Sequence, residues 1–303
     1  MYNIGLDVIN QTSKTNESLG NVIANLNDHF SSLSELINIK RSLIKYGRTD
    51  QLLELVQPTL EALNTTCSIE GISTTLSNIW KWIMDTITNI INWIKKTFLS
   101  IATSIEMKFK QILDSIRKTK DNTNSVEIPA LPTSAEISLV ISEVKVAQTI
   151  ITTFCNSLNP TIYNKELNES TKAKLNSSIQ NLQAAYDALY VYKGEYSYTL
   201  EQLNIVLSDM NNLFKVVSNT MSENVRLLNL LKTKLKVIET TMKFGVISDP
   251  AVFKDYETNV DNIRNILTNF LTIKGYGQRL CEFINKQLEK INQIISTSKK
   301  RIN

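Results

Sequence analysis

Histidine, cysteine and glycine are all scarce in this chain, and each scarcity closes off a class of function. One His and three Cys among 303 residues leave little material for a zinc or non-haem iron site. Cys67, Cys155 and Cys281 are too scattered for a disulfide framework. Glycine numbers only eight, with none in the 122 positions between Gly71 and Gly194. That argues against glycine-punctuated folds such as dinucleotide-binding α/β units, propellers and Gly-rich barrels. The chain has no P-loop GxxxxGKS or GxxxxGKT, no HExxH, CxxC or GxSxG, and no Glu-x-x-His pattern of the di-metal bundles. A Cys–His site could draw only on His29, which lies between Asp28 and Phe30 and reads as a surface or edge histidine. No enzyme, cofactor or metal is expected.

Uninterrupted apolar runs are missing as well. The richest stretch, 76–105, is cut by Lys81, Asp85, Lys95 and Lys96, so a spanning helix is not expected. Residues 1–15 have no basic start followed by an apolar block, which gives no reason to expect a signal peptide.

What the chain does have is helical periodicity. Leu76, Ile79 (or Trp80), Ile83, Ile87, Ile90, Ile94, Phe98, Ile101, Ile105, Phe109, Ile112 and Ile116 make eleven steps over 40 residues, or 3.64 per step. This is the α-helical period, from which a strict heptad would drift. It predicts one nearly continuous helix over about 76–118, some 60 Å long, with Ile83, Ile87, Ile94, Ile105 and Ile112 inward. Similar patterns cover 17–45, 137–150, 164–192, 199–244 and 251–296, the last broken near KGYG at 274–277. Gly47 reads as a helix C-cap, Asp50 as the cap of a short helix ending before Pro58, and KGEYSY as a turn. Stretches such as VEIPAL are short, so few strands are needed. The expected fold is all-α: an elongated bundle of long antiparallel helices with a smaller N-terminal helical region. The expected divisions are an N-terminal, propeptide-like region 1–70, the long amphipathic helix 71–120, a linker 121–136 with Pro129 and Pro132, and a helical domain 137–303.

Charge is unevenly placed. Residues 1–70 hold eight acids and five bases, net −3, whereas 71–120 hold eight bases and three acids, net +5. The whole chain is +4, so removing the first 70 residues would leave +7. Lys108, Lys110, Arg117, Lys118 and Lys120 form basic clusters that read either as solvated helix faces or as weak, sequence-blind phosphate contacts. All three tryptophans, Trp80, Trp82 and Trp93, fall within fourteen residues, beside Lys81, Lys95 and Lys96. Three readings stand together: a widened buried face, contact with another protein, or docking at a membrane interface. A tyrosine group, Tyr186, Tyr190, Tyr192, Tyr196 and Tyr198, reads as packing at a helix end or as a ligand-stacking patch.

The run IKRSLIKYGRTDQLLELVQPTLEALNTTCSIEG, residues 39–71, resembles the N-terminal region of internal head proteins of large tailed bacteriophages. The turn matches at Tyr46 and Gly47, the short Leu-rich helix at Leu52, Leu53 and Leu55, and the next segment at Leu60, Glu61, Ala62 and Leu63. A small-x-Glu site for a prohead protease matches at Ser68, Ile69 and Glu70, with the cut before Gly71; Ser125-Val126-Glu127 and Ser134-Ala135-Glu136 fit the same rule. The Trp/Lys segment after the site is also similar to that class. The resemblance implies a non-enzymatic virion component, made in the host cytoplasm and packed in the capsid interior with DNA and other virion proteins. Two alternatives remain from the residues themselves: a helical membrane-active protein of the pore-forming kind, and a cytoplasmic helical scaffold or adaptor.

Overall fold

A computed structural model describes residues 4–118, 125–159, 165–191, 193–244 and 250–300. In chain order it contains α1 (Ile4–Tyr46), α2 (Asp50–Ala62), α3 (Ile69–Trp93), a π turn (Ile94–Phe98) and α4 (Leu99–Lys118). Then come strand β1 (Ser125–Pro129), α5 (Ser134–Ser157), α6 (Lys165–Leu189), β2 (Glu195–Thr199), α7 (Leu200–Phe244) and α8 (Pro250–Lys300). The architecture is all-α, a helical bundle with one two-stranded sheet.

The stripe that starts at Leu76 in sequence belongs to a rod that starts earlier. Ser68 caps α3 by accepting from Gly71 N at 2.9 Å, and helix then continues to Lys118. Ile83, Ile87, Ile94, Ile105 and Ile112 all point into the core. The α-helix is not continuous, because a π turn at 94–98 fits one extra residue into the rod. That shift corrects one position of the stripe: Ala102 is buried at 4% exposure, and Ile101 turns outward at 41%.

Around the rod, α5 packs between α6 and α7, α4 lies on α7 and α8, and α1 covers α3 and α8. Trp80, Phe98, Phe109, Phe154, Phe214 and Phe270 are among the largest buried side chains of one connected core. The expected break at 274–277 does not occur, since α8 runs through both glycines. Gly277 lets α8 approach the π turn closely: a Cβ there would lie on Met221 Cε and 3.4 Å from Phe98 Cε2. Packing of this kind outweighs the roughly 1 kcal/mol by which glycine disfavours a helix. Likewise α2 continues through Pro58, held by buried Val56 and Leu60, and its N-cap is Thr49 rather than Asp50.

The linker and the turn are the clearest corrections. Within 121–136, residues 125–129 form β1, and the supposed KGEYSY turn supplies β2; the two pair antiparallel with Val126 opposite Tyr198. Both are buried, and Leu131 N donates to Tyr198 Oη at 2.8 Å. A polar linker thus becomes structure because its alternate apolar residues, Val126 and Ile128, have helices to rest on. Tyr198→Phe would strand the buried Leu131 N–H and is expected to cost about 1–3 kcal/mol, read by chemical denaturation. Of the remaining tyrosines, Tyr196 is exposed and tilts against Tyr198 on β2, Tyr186 stacks on Tyr276, Tyr190 meets Phe283 edge-on, and Tyr192 lies outside the described residues.

Candidate functional site

The α2–α3 junction is built by threonines, a glycine and a cap. After Leu63 the chain turns through Asn64 in the left-handed region, φ 49°, and Thr65 N closes back on Leu60 O at 2.8 Å. Thr65 Oγ1 donates to Leu63 O and lies 3.0 Å from Thr75 Oγ1, tying the turn to the second turn of α3. The junction between α2 and α3 is therefore only 63–68, because Ser68 already starts the helix.

Ser68, Ile69, Glu70 and Gly71 occupy the cap and first turn of α3, with Ile69 and Glu70 exposed. Among the described residues no hydrogen bond or ion pair engages the Glu70 carboxylate. A protease would need this turn extended. That means breaking the Gly71 N–Ser68 Oγ bond and the back-bonds from Ser73 to Ile69 O, Thr74 to Glu70 O and Thr75 to Gly71 O. Gly71 has its own structural reason: a Cβ there would come 1.9 Å from Thr66 Oγ1 and 2.9 Å from the Thr66 carbonyl oxygen. Thr66 Oγ1 can rotate away, but the backbone carbonyl cannot. Gly71→Ala is therefore expected to lower stability by about 1–3 kcal/mol and to loosen the junction, seen in the melting curve and in faster nicking there.

The other small-x-Glu sequences are held differently, although Ser134 and Ala135 are as exposed as Ile69 and Glu70. Ser125-Val126-Glu127 is inside paired β1 with Val126 buried. Ser134-Ala135-Glu136 begins α5, where Thr133 and Glu136 form a reciprocal capping box. Partial burial opposes the charge on Glu136, but hydrogen bonds from Lys193 and Thr133 prevail and hold its pKa below the usual carboxylate value. A further match, Ser104-Ile105-Glu106, lies within α4 with Ile105 buried.

The tryptophans do not form a common outward face. Trp80 is buried. Trp82 is half-buried, its ring stacked on His29 with centroids 3.7 Å apart and planes within 9°. Trp93 packs on Phe98, and Lys274 Nζ lies 4.7 Å from its ring centre. Burial lowers the pKa of that lysine. Lys81, Lys95 and Lys96 are exposed.

The basic cluster divides. Lys108 is engaged by α8, at 2.6 Å from Asn285 Oδ1 and 2.9 Å from Glu289 Oε1. Lys110 and Arg117 line an open groove of about 410 Å³ between α4 and α7, together with Lys215, Asn211, Glu106 and Asp114. Lys118 closes α4, and Lys120 lies outside the described residues. The contribution of Lys215 had no signal in sequence, because only the packing of α7 on α4 brings it there. Burial pushes the Cys155 and Cys281 thiols up to about 12, which suits inert core residues. Among the described residues no group of three His, Cys, Asp or Glu could hold a metal ion.

Helix α5 is longer than the 137–150 pattern in sequence and more apolar than the 76–105 stretch. By length and composition α5 could cross a membrane, since Glu143 and Lys145 are the only charges between Glu136 and Ser157. A third of its most apolar window is buried in the bundle, and Leu139 and Val146 are exposed.

No known protein-family profile, curated protein or solved structure matches this chain.

Proposed function

We propose that this chain is a non-enzymatic structural protein of the interior of a tailed-phage head, packaged with DNA and trimmed between Glu70 and Gly71 by the head-maturation protease. The observation that carries this reading is the position of Ser68-Ile69-Glu70. It ends the stretch that resembles phage internal head proteins, and it sits on an exposed first helical turn with an unengaged glutamate. The other matches to the rule are held in a strand, a capping box or the middle of a helix.

Charge supports the same reading. Loss of residues 1–70 removes a net −3 and leaves +7, which favours salt-sensitive contact with phosphates through groups such as Lys110, Arg117 and Lys215. The acids Glu106 and Asp114 in the same groove suit loose association rather than base readout. The test is mass spectrometry of purified particles treated with external protease. The chain should survive while the DNA is inside and become digestible once the heads are opened; a chain missing from intact particles would refute the assignment.

A second reading, membrane contact, is favoured by the apolar composition and exposed Leu139 and Val146 of α5. The Trp/Lys segment lends it less support, because Trp80, Trp82 and Trp93 are engaged within the bundle. Dye release from anionic vesicles by the purified chain would favour this reading over the first.

A further inference from the structure

A cut between Glu70 and Gly71 severs one peptide bond, but that bond is not what holds α1 in place. The inward face of α1 buries Leu26, Phe30, Leu33, Leu36 and Leu43 to 3% exposure or less, and α1 packs on both α3 and α8. The His29 ring lies flat on Trp82 of α3 at 3.7 Å. Asn38 Nδ2 donates to Glu257 Oε1 of α8 at 2.6 Å. Leu19 fills the space over Gly275, where a Cβ would come within 2.6 Å of its Cδ2. Leu19 and Asn38 lie 19 positions apart on α1, and Glu257 and Gly275 lie 18 apart on α8. The two helices therefore run antiparallel in contact over about 28 Å. Across the scissile bond, Thr65 Oγ1 and Thr75 Oγ1 still meet at 3.0 Å.

We infer that the α3–α8 face is a docking surface for the chain's own N-terminal segment, so that cutting after Glu70 gives a two-chain protein with residues 1–70 still seated. The inference rests on the processing reading for the cut itself and on the observed seam for the fate of the two pieces. The cut alone then leaves the net charge at +4, and the +7 species forms only when α1 is displaced. Displacement would uncover Trp82 and the apolar face of α3. Because the seam is mainly apolar, salt does not release the segment; a competitor for the apolar face does.

The test uses the full chain with a site-specific protease sequence inserted between Asn64 and Thr65, cut to completion at about 10 μM. Native mass spectrometry and size exclusion should give one particle with the summed mass of both fragments, unchanged in 1 M salt, with unaltered tryptophan emission. Fragments that separate in low-salt buffer would overturn the inference. The same chain carrying Leu33→Asp should fall into two pieces after the cut, and persistence of that complex would equally overturn a seam made by the α1 apolar face. Neither result depends on a phage protease, so failure here is distinct from failure of the processing reading, which the N-terminus of the particle-derived chain decides.

Discussion

Ile94→Asp is expected to cost at least about 4 kcal/mol, enough to abolish the folded state if the bundle has the usual stability of about 5–15 kcal/mol. Ile94 opens the π turn at 1% exposure, and its neighbours across the turn, Ile90, Ile91 and Phe98, are buried too. An aspartate there loses the apolar contacts and leaves a carboxylate without a partner. The informative comparison is Ile101→Asp. An unbroken α-helical stripe would place Ile101 inward, and the π turn places it outward at 41% exposure. Its replacement should cost no more than about 1 kcal/mol. Urea denaturation of both variants reads the difference directly. If Ile101→Asp proved the costlier, the register of the rod would be wrong.

Glu70→Ala is expected to leave the chain uncut in particles, as the full 303 residues. The substitution touches an exposed side chain in the first turn of α3, so folding should be unaffected. Glu127→Ala is the matched control. It removes the equivalent glutamate from a paired strand and should leave cutting unchanged. Intact-mass measurement of the particle-derived chain separates the outcomes. Cutting that persists in Glu70→Ala and stops in Glu127→Ala would move the site to β1.

The helices were legible because their signal is local. A stripe of period 3.64 needs no knowledge of what it packs against, and α5, α6 and α7 keep close to their sequence patterns. The π turn was not legible, since it changes the phase of the stripe at one position only, exchanging Ile101 for Ala102. Nor was the sheet. Ser125–Pro129 and Glu195–Thr199 are far apart in sequence, and each gains its structure from the other and from the helices below. The glycines of α8 read as a break, yet Gly275 and Gly277 are where Leu19 and Met221 come close, a meaning that exists only in the packed bundle. At the candidate site, the spacing of Ser68 and Glu70 was visible in the sequence. What Gly71 does was not, because the Thr66 carbonyl that forbids a Cβ there is placed by a turn. The same holds for the tryptophans: sequence placed them together, but their partners His29 and Lys274 come from α1 and α8.

The most direct test is the N-terminal residue of the chain recovered from purified, DNA-filled particles. Sequencing should read Gly-Ile-Ser-Thr, beginning at Gly71. A second sequence from the seated segment, beginning at Met1 or Tyr2, should accompany it as long as α1 has not been displaced. A single sequence beginning at Met1 or Tyr2, with the intact mass of the whole chain, would contradict the account.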